Sequence, residues 1–178
     1  MRHNKAVLFF LIILFVAPGF LAYVFYLNPS WLGNVTTNQG VFLPPNTSLH
    51  VFPDKHVYRM VLWNEGACNQ DCIFELDKIA RVRLALGRRY YDVESWLLQG
   101  EHSPVLSSEV QAGLLAQDIH IKRLNEHETE IIKLLEHTAN LFIVAPNQHF
   151  ILGFKQNSKP DEIFHDLKHL LTTDKTSN

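Results

Sequence analysis

Tyr58-Arg-Met-Val-Leu-Trp63, then Asn64-Glu-Gly66, then Cys68-Asn-Gln-Asp-Cys72 is the stretch whose reading decides the fold. Its first part is apolar-rich and reads as a buried strand, which Asn64, Glu65 and Gly66 break. A helix is expected from Cys68, because Ile73, Leu76, Ile79, Ala80 and Leu84 recur at helical spacing on one side. Lys78, Arg81 and Arg88 lie on or near the other side, and Gly87 is placed to stop it. A strand feeding a helix through a cysteine-bearing loop is the opening of an α/β unit.

The same alternation continues downstream. Tyr91 to Leu98 fits a second strand, with Val93 and Leu97 facing inward. Ser108-Glu-Val-Gln111 reads as a capping box opening a helix to about Asp118. Ile119 to Leu124 alternates as a short strand, and Glu126 to His137 reads as a helix through Ile131, Leu134 and Leu135. Leu141-Phe-Ile-Val-Ala145 is a continuous apolar run of the kind buried on both faces. Pro146-Asn-Gln148 turns the chain, and Phe150 to Phe154 returns as a hairpin partner. Pro160 starts a last helix with Ile163, Phe164, Leu167, Leu170 and Leu171 on one face. The final residues, TTDKTSN, read as a frayed polar tail. This order points to an α/β domain with a partly parallel sheet.

Upstream, residues 6–27 hold 22 residues without a charge. At about 1.5 Å per residue they just cross a hydrocarbon core of about 30 Å. Pro18 and Gly19 are tolerable in such a helix. Arg2, His3 and Lys5 precede it, and no Lys or Arg occurs in the 25 residues that follow. The positive-inside rule then puts the N-terminus in the cytoplasm and the rest outside it. A cleaved signal peptide would need a shorter apolar core and an A-x-A site, which does not follow the run. Residues 28–50 hold three prolines, two glycines and two Asn-x-Ser/Thr triplets, and read as an extended connector. The net charge of −2 comes from scattered charges, with no footprint for nucleic acid. No glycine-rich phosphate loop is visible, Ser107 and Ser108 sit at a helix start rather than a nucleophile elbow, and His120 and His127 read as solvated surface.

Cys68 and Cys72 are the only cysteines. Residues at i and i+4 share a helical face, near enough for a disulfide. The N-terminus of a helix lowers a thiol pKa, although Glu65 and Asp71 oppose a thiolate here. Two thiolates side by side suit a soft metal such as Cu(I) or Zn(II). A passive staple is the competing reading, and a loop this short would stabilise little.

These residues resemble the thioredoxin-like superfamily, and in particular the Sco-type copper chaperones of cytochrome oxidase assembly. The chain is also similar to small single-pass membrane proteins of proteobacteria described as cytochrome oxidase assembly-like. The matching features are the N-terminal anchor, Thr37-Asn-Gln-Gly40 with Leu43-Pro44, and Ala67-Cys68 with Cys72. Arg83-Leu-Ala-Leu-Gly87, the late hairpin, and a last helix bearing Asp166-Leu167 and Leu170-Leu171 match as well. The resemblance implies a thioredoxin-like α/β fold preceded by one transmembrane helix. It divides the chain into a cytoplasmic end at 1–5, a membrane helix at 6–27, a linker at 28–50, a periplasmic domain at 51–172 and a flexible tail at 173–178.

It also implies a copper site of Cys68, Cys72 and His137, the histidine lying just before the late strand. Asn69 stands where a proline commonly follows the first cysteine. No proline lies between Pro104 and Pro146 to occupy the cis-proline position of thioredoxin-type oxidoreductases, which favours metal handling over exchange. The function expected is a factor in the bacterial inner membrane that handles thiols or copper for a haem-copper oxidase subunit or another assembly factor, with Cys68 as attacking thiol. Two alternatives stand beside it: a general periplasmic thiol-disulfide oxidoreductase, and an interaction module with a static disulfide.

Overall fold

In the computed structural model, which describes residues 2–27, 38–45 and 47–176, strand β2 (Tyr58–Asn64) lies at the centre of a sheet. Its side chains alternate across that sheet. Met60 and Leu62 enter one apolar layer and Val61 and Trp63 the other, none more than 3% exposed. Cover on both faces explains why the run reads as continuously apolar. The exception is Arg59, which is fully buried. Its Nη2 donates to the carbonyls of Pro53 and Lys55 at 2.7 and 3.1 Å, and its Cζ lies 5.2 Å from the centroid of the Phe52 ring. Burial lowers its pKa, while Glu94 and Asp54 act against that.

β2 pairs in parallel with β3 (Val93–Gln99), which pairs in parallel with β4 (Ile119–Arg123). On its other side β2 runs antiparallel to β5 (Leu141–Val144), and β5 forms the hairpin with β6 (Phe150–Phe154). Strand β1 (Val41–Phe42) adds antiparallel to β6, so among the described residues the order is β1-β6-β5-β2-β3-β4. One face is covered by α2 (Gln70–Ala85), α3 (Ser108–Ala116) and α5 (Pro160–Thr176), through Leu76, Ile79, Leu114, Ile163 and Leu167. The other is covered by α4 (Glu126–Glu136), through Ile132 and Leu135. Each such side chain stabilises the fold by about 1.5–3 kcal/mol relative to exposure.

Several elements differ from the reading of the sequence. α2 starts at Gln70, and its buried face runs through Cys72, Leu76, Ile79, Ala80 and Arg83, leaving Ile73 and Leu84 exposed. Lys78 is buried rather than outward. Gly87 does end the helix, at φ +57°, a conformation that favours glycine. A 3₁₀ turn at Gly87–Asp92 follows, so Tyr91 precedes β3. The cap of α3 is Ser107, which accepts from the Val110 amide, whereas Gln111 donates to the Leu106 carbonyl, so the box expected at Ser108 does not form. A capping box does form at Asn125 and Glu128. α5 runs to Thr176, through most of the stretch expected to fray.

The compact unit begins at Asn38, inside the stretch read as a linker. There the Asp166 carboxylate accepts from the amides of Gln39 and Gly40, each at 2.8 Å, and Leu43 and Leu49 join the core. Residues 28–37 of that connector, with Asn34 of the first triplet, lie outside the described residues, as does Asn46 of the second. The N-terminal unit holds α1 (Arg2–Leu27), a single helix with Pro18 inside it. Among the described residues no helix is long and apolar enough to cross a membrane.

Candidate functional site

Asn64 ends β2, and the chain turns through Glu65, Gly66 and Ala67 into the N-terminus of α2. Asn69 caps that helix with its side chain, accepting from the amide of Cys72 at 3.1 Å. Its backbone is extended, at φ −81° and ψ −172°. The residue in place of the expected proline thus satisfies one of the free amides of the first turn. Cys68 and Cys72 form a disulfide across this turn, with Cα atoms 5.1 Å apart. The two sulfurs are unequal: Cys72 is only 6% exposed, whereas Cys68 is half-buried. A half-open first cysteine over a buried second one lets an incoming nucleophile or thiol partner reach Cys68 first.

A cavity of about 840 Å³ opens beside Cys72. Asn69 and Cys72 form one wall, and His137 and Asn140 form the other. The amide of Trp63 donates to the Asn140 carbonyl at 2.8 Å, which ties the end of β2 to the turn carrying His137. His137 is the C-cap of α4 and is exposed. The structure therefore brings it to the same cavity as Cys72. Among the described residues, however, no three His, Cys, Asp or Glu side chains gather where they could hold one metal ion. With both sulfurs spent in a disulfide, a copper site of Cys68, Cys72 and His137 requires reduction first.

Glu75 also lines this cavity and was not singled out from the sequence. It is 3% exposed; its Oε1 accepts from Lys78 Nζ at 2.7 Å, while its buried Oε2 has no partner. Lys78 Nζ donates in addition to the carbonyls of Gln156 and Ser158, at 3.0 and 3.1 Å, pinning the loop between β6 and α5. The available signal was the spacing, since Glu75 and Lys78 follow Cys72 at helical intervals on one face. His120 lies elsewhere, tilted against Trp96 with ring centroids 4.7 Å apart.

A sheet with two parallel and three antiparallel pairings, and a disulfide at the first turn of the helix after its central strand, defines a thioredoxin-like domain. The chain belongs to the family described as transmembrane-like, thioredoxin-like, C-terminal domain, which it matches over residues 58–174. No curated protein matches it. Among solved structures it is similar to Bradyrhizobium japonicum ScoI with copper bound, at 17% identity over 65% of this chain and 85% of that one, with a TM-score of 0.44. It is similar to yeast Sco1 with copper bound at 15% identity over 65% and 78%, with a TM-score of 0.47. It is also similar to the thioredoxin domain of a thiol-disulfide oxidoreductase from Bacteroides vulgatus, at 10% identity over 66% and 81%, TM-score 0.41. The copper and the exchange activity are those proteins' own.

Proposed function

We propose that this chain is a membrane-tethered thiol-handling factor whose Cys68–Cys72 pair cycles between disulfide and dithiol on the outer side of the bacterial inner membrane. The observation that carries this reading is the asymmetric disulfide at the helix N-terminus, half-open at Cys68 and buried at Cys72. In the reducing direction the Cys68 thiolate attacks one sulfur of a client disulfide and expels a client thiolate, leaving a mixed disulfide. The Cys72 thiolate then attacks Cys68 Sγ and releases the second client thiolate. Two electrons pass to the client, and the protein ends as the disulfide seen here.

The tether is supported by α1. Leu14, Phe15, Phe20 and Leu21 are exposed on it, and residues 6–27 carry no charge. The charge asymmetry around residues 6–27 supports a cytoplasmic N-terminus and a periplasmic domain. Tethering raises the effective concentration at a membrane-bound client.

A second reading, copper handling for a haem-copper oxidase, is favoured by one specific observation: His137 shares a cavity with Cys72. In the reduced state two thiolates and an imidazole form a soft donor set suited to Cu(I) as cargo. The full-length protein in neutral detergent, reduced and titrated anaerobically with Cu(I), separates the readings. Exchange without copper predicts reduction of a client disulfide that Cys68→Ser abolishes and His137→Ala leaves intact. Copper handling predicts stoichiometric binding that Cys68→Ser, Cys72→Ser and His137→Ala each weaken. A protein that neither exchanges nor binds copper, and whose bridge resists mild reductant, would have a static disulfide instead.

A further inference from the structure

The end of the sheet that carries the disulfide is ringed by carboxylates. Glu65, Asp71, Glu75 and Glu136 line the cavity beside Cys72, with Lys155 as the only lysine or arginine in that wall. A second cavity, of about 150 Å³, shares Glu65 with the first and adds Glu101, Glu126 and Glu130 against Lys133. Together the two hold seven carboxylates and two lysines, and with Glu75 paired to Lys78 that leaves an excess of four negative charges in a chain whose net charge is −2. Lys133 is already committed to Glu65 by an ion pair. Its pKa is raised by the hydrogen bond it donates to Glu65 and further by the charges of Glu65, Glu136 and Glu130, so residues of both cavities act on one ammonium.

A second feature points to a ligand. Thr129, 8% exposed, lines the smaller cavity, and its hydroxyl has no hydrogen-bond partner. A buried hydroxyl left unpaired costs about 1–3 kcal/mol, so an incoming donor is favoured there. The surrounding acids select a positive one. Among the described residues these acids are not grouped to hold a single metal ion, which suits a dispersed positive charge.

We infer that this acidic rim is the docking surface for a basic, cysteine-bearing segment of a client protein, with a client lysine or arginine seated among Glu101, Glu126, Glu130 and Thr129. The inference rests on the exchange reading and supplies its substrate class: the field of the rim draws a cationic segment toward the disulfide and repels an acidic one.

The test uses reduced full-length protein in neutral detergent and three synthetic peptides. Each holds one intramolecular disulfide, flanked by lysines, by glutamates or by serines. The lysine peptide should be reduced at least about tenfold faster than the glutamate peptide at low salt. The ratio should fall to within about twofold at about 0.5 M salt, where the Debye length is a few ångström. Glu126→Gln with Glu130→Gln should shrink the low-salt ratio severalfold, and an unchanged ratio counts against the docking surface. A cysteine-free lysine peptide should bind the oxidised protein by fluorescence anisotropy, and Thr129→Val should weaken that binding severalfold. Equal rates for the three peptides at low salt, with no binding of the cysteine-free peptide, overturn the docking surface. Should no peptide be reduced while the cysteine-free one still binds through Glu126 and Glu130, the surface stands and the exchange reading falls.

Discussion

Replacing Asp166 should loosen the domain where its chain enters the sheet. Asp166 is 1% exposed, and its Oδ2 holds the amides of Gln39 and Gly40 at 2.8 Å. Hydrogen bonds to a charged acceptor contribute about 1.5–3 kcal/mol each. Gly40 is buried and cannot recover its bond from water, whereas Gln39 is exposed and largely can. Asp166→Ala should therefore cost about 2–4 kcal/mol, most of it at Gly40. Asp166→Asn keeps an acceptor oxygen but loses the charge, and should cost about 1–2 kcal/mol. At about 3 °C per kcal/mol for a domain of this size, the alanine variant should melt about 6–12 °C lower. The assay is thermal and urea unfolding of full-length protein in detergent, followed by tryptophan fluorescence, with amide exchange read at Gln39 and Gly40. Exchange at Gly40 should accelerate before global unfolding. A shift under about 2 °C for the alanine variant, or unchanged exchange at Gly40, would refute the reasoning.

Gly40→Ala tests the same entry point by crowding, because an added Cβ would sit 2.7 Å from Cζ of the buried Phe154 ring. A loss of about 1–3 kcal/mol is expected, partly recovered by Phe154→Leu, and no recovery would place the cost elsewhere. Reducing the disulfide, or replacing both cysteines with serine, should cost only about 2 kcal/mol, since the loop it closes is so short. A much larger drop in the denaturant midpoint would mark the bridge as a structural staple. Burial pushes the Glu94 carboxyl up, but hydrogen bonds from Lys55 and Trp96 and the charges of Lys55 and Arg59 outweigh it and hold the pKa below the usual value. A depressed folded pKa contributes stability that is present above the unfolded value of about 4.3 and lost as pH falls through the lower folded value. Glu94→Gln should flatten that acid limb in urea titrations below about pH 4, and an unaltered limb would count against it.

Much of the fold was legible because burial on both faces leaves a direct mark. Tyr58 to Trp63 and Leu141 to Val144 are apolar at every inward position on either side of the sheet, with Arg59 as the exception. That the two cysteines could meet was legible too, since a spacing of four at a helix start puts them on one face, but the same spacing suits a soft metal as well as a disulfide. The phase of α2 was not. Cys72 is read as chemistry, but it packs as core, and counting it there rotates the buried face away from Ile73 and Leu84. Arg83 is buried in that face because it pairs with Asp118 at 2.8 Å and stacks on Tyr90 at 4.0 Å, partners that no local pattern reveals.

The order of strands and helices from β2 to α5, the helix-ending glycine and the closeness of two cysteines across one helical turn were determined by the sequence alone, because each follows from periodicity or spacing within a few residues. Tertiary structure alone decided that Asp166 receives Gln39 and Gly40 from more than 120 positions away. It also decided that His137 faces the cavity of Cys72, and that acids from Glu65 to Glu136 crowd one end of the sheet. Such juxtapositions depend on which strands neighbour one another, and strand order is set by the packing of the whole chain.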